Sequence, residues 1–253
     1  MTVLLAFDTA TERTAIALGT DERTWTRESA GGARASATFL PEVLELLHEA
    51  GLAVRDLDGI GYGRGPGAFT GLRVACSVAQ GLALGAGKPV LPIDTLMAVA
   101  EDARGLMAAG MEGGAGIDEA AGSGGSAGVA PALAVWAVHD ARMDEVYAAE
   151  YVHDDGAWRM RHAPRVLSPE ALVAEWRQVP PSVVAGNGLP AFSTRLDTGL
   201  AVRVPEAAPR PAALLALARA AWAAGDRLDA ALALPLYVRD KVALTSAERE
   251  GLR

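Results

Sequence analysis

The pattern of apolar and polar positions predicts a mixed α/β protein in which a strand-rich meander at the N-terminus is repeated in the second half of the chain. Short apolar runs the length of buried strands alternate with segments whose apolar residues recur at helical spacing. The predicted strands cover residues 2–7, 14–19, 23–28, 57–62 and 89–93, then 131–138, 146–152, 158–164 and 182–185. The predicted helices cover residues 35–50, 70–86, 96–103, 168–177 and 211–224.

A glycine-rich loop joins the strand over 57–62 to the helix over 70–86. Gly61, Gly63, Gly65, Gly67 and Gly71 leave it nearly free of side chains. Such a loop predicts close approach by another group, and the helix start beyond it can attract an anion. The loop fits neither the phosphate-loop nor the dinucleotide-loop pattern well. A tight structural turn stays open as the alternative.

Two of the predicted helices are more apolar than one core face requires. Around the helix over 70–86, only Arg73, Ser77 and Gln80 form a polar stripe. A helix of this kind is covered on both sides, but it is short for a membrane span, so a second domain or another chain is expected to cover it. Burial within one core is the alternative. The predicted partner interface consists of Phe39, Leu40, Val43, Leu46, Leu47, Leu72, Val74, Ala75, Val78, Ala79 and Leu82.

Polar residues follow the first strand. In actin-like and sugar-kinase-like folds, a carboxylate and hydroxyls at this place hold phosphates and magnesium. Asp8, Thr9 and Thr11 are therefore candidate nucleotide ligands, with Gly65 and Gly67 contributing backbone amides. A polar turn in which Asp8 caps backbone amides is equally compatible with the spacing.

Composition limits the functions that are open to this chain. A net charge of −8 argues against an extended nucleic-acid surface. Cys76 is the only cysteine, and the four histidines are scattered, so neither a disulfide nor a metal site is expected. The apolar run over 3–7 is too short for a signal peptide, which favours a cytoplasmic protein.

Composition also suggests the domain boundaries. Residues 104–130 are small and featureless, typical of a flexible insertion. The predicted domains are residues 1–103 and 131–210, with a helix over 211–225 that packs back on the first domain. A tail over 226–253 follows.

Four blocks of sequence resemble the bacterial TsaB family, also called YeaZ. They are FDTATERTAIAL at 7–18, YGRGPGAFTGLRVACSVAQGLALG at 62–85, DARMDEVYAAEY at 140–151 and PLYVRDKVA at 235–243. The resemblance implies an ASKHA fold, the two-domain fold of actin and sugar kinases with two RNase H-like halves. No histidine stands before the helix over 35–50, where family members often carry one.

The resemblance also implies a function. TsaB proteins are non-catalytic scaffold subunits that bind TsaD, which forms N6-threonylcarbamoyladenosine in tRNAs reading codons that begin with A. TsaE completes the complex, tRNA is contacted only indirectly, and ATP or ADP with magnesium can lie at the complex interface. The two broadly apolar helices correspond to the TsaD-binding helices, and an isolated chain could homodimerise through them. An ATP-dependent phosphotransferase or ATPase is the alternative, and a peptidase is less favoured.

Overall fold

The computed structural model describes residues 1–32, 35–113 and 132–239, and it contains two five-stranded sheets. The strands are β1 (Leu4–Asp8), β2 (Arg13–Gly19), β3 (Thr24–Ala30), β4 (Gly59–Gly65), β5 (Val90–Asp94), β6 (Leu133–Asp140), β7 (Val146–Asp154), β8 (Ala157–Leu167), β9 (Val183–Ala185) and β10 (Val202–Val204). The α-helices are α1 (Ala35–Glu49), α2 (Phe69–Ala86), α3 (Thr95–Gly113), α4 (Pro169–Trp176), α5 (Gly188–Ala191) and α6 (Pro211–Ala224). Short 3-10 helices cover Val54–Asp56 and Ala230–Leu232.

Both sheets have the same topology. The first runs β3-β2-β1-β4-β5, and the second runs β8-β7-β6-β9-β10. In each, three strands form an antiparallel meander, and the last two lie parallel to the first strand. Parallel pairs require crossover connections, which α2 supplies between β4 and β5. The repeat confirms the predicted fold of two RNase H-like halves.

Helices cover the first sheet on both faces. α1 and α2 pack side by side on one face around Phe7, Ile16 and Tyr62. α6 packs on the opposite face, where Leu214 and Ala218 contact side chains of β1 and β5. Because both faces are covered, β1 and β4 consist almost entirely of buried residues.

Helix α3 joins the two lobes and is longer than predicted. The helix was predicted to end at residue 103, and a flexible insertion was predicted from residue 104. This predicted boundary is wrong, because α3 continues to Gly113. Ala, Leu and Met favour helix over this stretch despite its glycines, and Arg104 forms an ion pair with Glu101 one turn back. Residues 114–130 of the predicted insertion lie outside the described part of the chain.

The segment after α6 returns across the first lobe. Asp229 caps the 3-10 helix Ala230–Leu232. The Ala233 carbonyl then accepts hydrogen bonds from the Cys76 thiol and the Gln80 amide of α2. Residues 234–239 continue along α2, where the Tyr237 ring packs on Phe69 and its hydroxyl accepts a hydrogen bond from Arg73.

Candidate functional site

A cleft of about 400 Å³ lies between the two lobes. Its walls come from the loop after β1, the start of α2, the turn after β6 and tail residues 236–239. Its polar lining residues are Thr11, Glu12, His139, Asp140, Arg142, Asn187 and Arg239, and its apolar ones include Leu72, Met143, Tyr147 and Val238. An ion pair of 2.6 Å between Arg142 and Glu12 connects the lobes beside it.

Asp8 does not face this cleft. Its side chain is buried, and it accepts hydrogen bonds from the Ala10 amide and the Thr95 hydroxyl, both at 2.6 Å. Burial raises its pKa from 3.8 to about 6, against the opposing effect of these two bonds. A Cβ at Gly63 would overlap this carboxylate. The glycine loop was predicted to let another group come close to its backbone. At Gly63 that group is Asp8 at the end of β1.

Two further predicted nucleotide ligands are also engaged inside the first lobe. The Thr9 hydroxyl donates to the Gly71 carbonyl at 2.6 Å, and the Gly65 amide donates to Thr95 Oγ1 at 3.2 Å. Asp8, Thr9 and Gly65 thus make hydrogen bonds within the chain, and their role as nucleotide ligands stays a prediction. Thr11 and Gly67 do line the cleft.

The turn after β6 forms the opposite wall and has an unusual backbone. Arg142, Met143 and Asp144 all have positive φ values, from 54° to 64°, a conformation that non-glycine residues rarely adopt. The Arg239 guanidinium supports the turn by donating to the Ala141 carbonyl and to the Glu145 carboxylate. The tail therefore stabilises a wall of the cleft.

His139 lies beneath this turn with a buried ring. Burial lowers its pKa from 6.5 to about 4, so the imidazole is neutral at pH 7. Its Nδ1 has no hydrogen-bond partner among the described residues. No three His, Cys, Asp or Glu side chains in the described ranges come together as metal ligands.

The second candidate site is the outward-facing surface of α1 and α2. We define this outer face by side chains that are exposed or half-buried: Leu40, Leu44, Val74, Val78, Leu82 and Leu84. Length and composition alone would also let α2 cross a membrane. However, Leu72, Ala75 and Ala79 anchor its inner side to its own sheet.

Seven of the predicted interface residues belong to this chain's own core. At most 2% of each is exposed: Phe39, Val43, Leu46, Leu47, Leu72, Ala75 and Ala79. The prediction was wrong for them because helical periodicity identified the apolar side without showing which part the sheet covers. Leu40, Val74, Val78 and Leu82 keep accessible surface. The sequence interpretation missed Leu44 and Leu84, which are 44% and 60% exposed.

Charge pairing orients α1 so that its exposed leucines lie toward α2. Arg27 on β3 pairs with Glu45 and Glu49, and Ser29 donates to Glu42. The acidic side of α1 therefore leans toward the sheet edge. Leu40 and Leu44, one turn apart on the other side of α1, face away from this edge, and α1 packs against α2. The outer face is therefore continuous across both helices.

Comparisons with known proteins agree with this architecture. A solved structure described as YeaZ from Pseudomonas aeruginosa superposes with a TM-score of 0.76 at 34% identity, covering 94% of this chain and all of that one. The tRNA threonylcarbamoyladenosine biosynthesis protein TsaB of Escherichia coli K12 is 33% identical over 95% of this chain and 96% of its own length.

A second group of proteins is similar to part of the chain. A family model described as TsaD, tRNA N6-adenosine threonylcarbamoyltransferase, matches residues 32–114. One such transferase, from Maricaulis maris, is 54% identical over 54 residues, which are 21% of this chain and 14% of that protein.

The duplicated sheets and the interlobe cleft define a two-lobed protein of the ASKHA class with RNase H-like halves. The similarity over nearly the whole chain identifies a particular family within this class. The chain belongs to the family of the tRNA threonylcarbamoyladenosine biosynthesis protein TsaB, also called YeaZ.

Proposed function

We propose that this chain is a scaffold subunit in the biosynthesis of N6-threonylcarbamoyladenosine in tRNA. It has no transferase site of its own, and it acts by binding a TsaD-type transferase through the outer face. The observation that carries the proposal is the apolar surface that α1 and α2 leave uncovered. Participation in this biosynthesis follows from family membership, and the structure supports a specific mode of action.

The distribution of exposed apolar residues supports a partner on this side of the molecule. Twelve large apolar residues in the described ranges are exposed. Six of them lie on the layer formed by α1, α2 and the tail: Leu40, Leu44, Leu84, Leu232, Leu234 and Tyr237. Exposed apolar surface concentrated on one side is typical of a protein–protein interface. A helix whose outer side faces water carries charged and polar residues there, in contrast to the exposed leucines of α1 and α2.

The choice of a transferase as partner rests on the local similarity. The segment that the TsaD family model matches contains α1, β4, α2 and β5. A TsaD-type chain therefore has its own version of the same two-helix layer. Two such layers can pack against each other around a pseudo-twofold axis, with each pair of helices covering the other. A homodimer would use the same face, so it competes with the transferase complex.

The structure gives less support to an ATP-dependent phosphotransferase. Its proposed magnesium ligand, Asp8, is enclosed by Thr95, Ala10 and Gly63. Because the chain carries a net charge of −8, tRNA would reach the complex mainly through a more basic partner. We propose on the same grounds that TsaE and any nucleotide meet this chain in the assembled complex.

A direct test compares one substitution on the outer face with one elsewhere. Leu44→Glu places a carboxylate in the proposed interface, while Leu44 is exposed enough in the free chain for the fold to tolerate it. We expect this variant to lose co-elution with the cognate TsaD in size-exclusion chromatography while keeping the thermal midpoint of the parent. A buried unpaired charge costs several kcal/mol, enough to abolish a micromolar complex.

Leu200→Glu is the matched control, because Leu200 is fully exposed on the second lobe, before β10. It should co-elute normally. Failure of the parent protein to bind TsaD, with both proteins folded, would contradict the proposed function. Equal binding by the parent and Leu44→Glu would contradict the assigned face.

A further inference from the structure

The tail carries a row of exposed apolar side chains beside α2. Leu232, Leu234 and Tyr237, which we call the tail strip, are 61%, 70% and 46% exposed. Two alanines of the same stretch face the other way, since Ala230 and Ala233 are buried in the core of the first lobe. Ala233 thus faces inward, whereas Leu232 and Leu234 on either side of it face outward.

The backbone of the tail strip is held in place by the first lobe. Leu234 exchanges two hydrogen bonds of 3.2 Å with the Tyr62 hydroxyl, one through its amide and one through its carbonyl. The Leu236 amide donates to the Arg64 carbonyl at 2.6 Å. The Tyr237 ring packs on Phe69, and its hydroxyl accepts from Arg73 Nε. The exposed leucines therefore lie on a fixed backbone.

The tail strip is continuous with the outer face. Cys76 and Gln80 bond to the tail from one side of α2, and Val74 and Val78, each two positions earlier, lie on the opposite side of the helix. The outward surface of α2 between them is almost free of charge, since its exposed residues are Thr70, Arg73, Ser77, Gly81, Leu84 and Gly85. α1 thus packs against α2, and the tail runs along α2 from Gln80 back to Phe69.

We infer that the tail strip is a third element of the partner-binding face. A TsaD-type transferase contacts α1, α2 and the tail together, and this inference rests on the proposed function. Leucines held outward on an ordered backbone contribute apolar area without an ordering cost at binding. The family-model match ends at residue 114, so the tail lies outside the segment shared with the transferase. In the proposed complex, the tail of this chain therefore has no counterpart in the segment that the transferase shares with it, so the two partners contribute different elements to the interface.

The double substitution Leu232→Ser and Leu234→Ser tests the inference. Binding to the cognate TsaD is measured by isothermal titration calorimetry for the parent, the double variant and the control Leu200→Ser. We expect the double variant to raise Kd at least tenfold, equivalent to about 1.4 kcal/mol, with an unchanged thermal midpoint. The control should bind like the parent. A Kd within twofold of the parent would overturn the inference, and so would an effect confined to self-association.

A labelling experiment covers the case in which the double variant is unstable. Leu234→Cys introduces an accessible thiol, whereas the native Cys76 is buried and its pKa is raised by burial. Excess TsaD should slow maleimide labelling of this variant at least tenfold, and an unchanged rate would overturn the inference. If the parent binds TsaD and Leu44→Glu does not, a negative result here leaves the proposed function standing. If the parent does not bind at all, the proposed function itself has failed.

Discussion

Asp8 makes a pH dependence of folding stability predictable. Its carboxyl group is buried with a pKa of about 6, against 3.8 for an unperturbed side chain. The native state therefore holds the proton more tightly than the unfolded chain between about pH 4 and 6, and stability falls as the pH rises through this range. Each pH unit of difference is worth about 1.4 kcal/mol. Because the unfolded carboxyl is already partly ionised at pH 4, Asp8 alone should lower the free energy of unfolding by roughly 2 kcal/mol between pH 4 and 7.

Replacing Asp8 with Asn removes this titration and leaves the shape of the side chain unchanged. The Asn oxygen can keep the bond from the Ala10 amide, and its NH₂ group can donate to the Thr95 hydroxyl, which both donates and accepts. Any lost hydrogen bond adds a constant cost at every pH. We therefore expect the stability of Asp8→Asn, relative to the parent, to improve by roughly 2 kcal/mol between pH 4 and 7.

The assay is urea unfolding followed by tryptophan fluorescence, which the five tryptophans make sensitive. Free energies are extrapolated to water at intervals of half a pH unit from about pH 4 to 7.5. Asp226→Asn, at an exposed site after α6, is the control and should parallel the parent. If the difference between Asp8→Asn and the parent is the same at pH 4 and 7, the assignment of a proton-binding buried carboxyl is refuted.

The remaining predictions concern the glycine loop, with a comparison variant on α3, and the tail. Gly63→Ala should destabilise the protein by at least about 3 kcal/mol, or prevent folding, because its Cβ would overlap the Asp8 carboxylate. Gly105→Ala, which meets open space on α3, should instead stabilise it by about 0.5–1 kcal/mol in the same urea assay. Arg239→Ala should cost about 2 kcal/mol and speed amide exchange in the turn over 141–145, because it removes donors to two carbonyls and to Glu145. If amide exchange in this turn is as slow in Arg239→Ala as in the parent, Arg239 does not stabilise the turn.

The sequence was sufficient for the architecture because both halves repeat the same physical pattern. Apolar runs bounded by turns located most of the strands of both sheets, and helical spacing located α1, α2, α4 and α6. The end of α3 could not be placed, since glycine composition suggested a linker where the helix continues to Gly113. The Ala, Leu and Met residues of this stretch favour helix more strongly than its glycines disfavour it. The short strand β10, with only three residues, carried too little signal.

The candidate sites were harder to predict than the fold, and for two different reasons. The polar residues after β1 looked like ligands because strand tips often hold them, yet the folded chain uses Asp8 and Thr9 for its own bonds. No single-sequence pattern distinguishes these cases. On α1 and α2, periodicity gave the apolar sides correctly but not how much of them the sheet covers. Leu40 and Phe39 are neighbours in sequence, yet only Leu40 stays exposed.

The tail shows what an alternating pattern does and does not reveal. Residues 230–234 are AALAL, and this order alone is compatible with leucines facing the core. The hydrogen bonds of Ala233 and Leu234 to Gln80 and Tyr62 decide the orientation instead. They hold the backbone against the first lobe with the Ala233 side chain in the core. The leucines are then left in solvent, where they weaken solubility unless a partner covers them. The same contacts that order the tail therefore give it an apolar surface suited to binding.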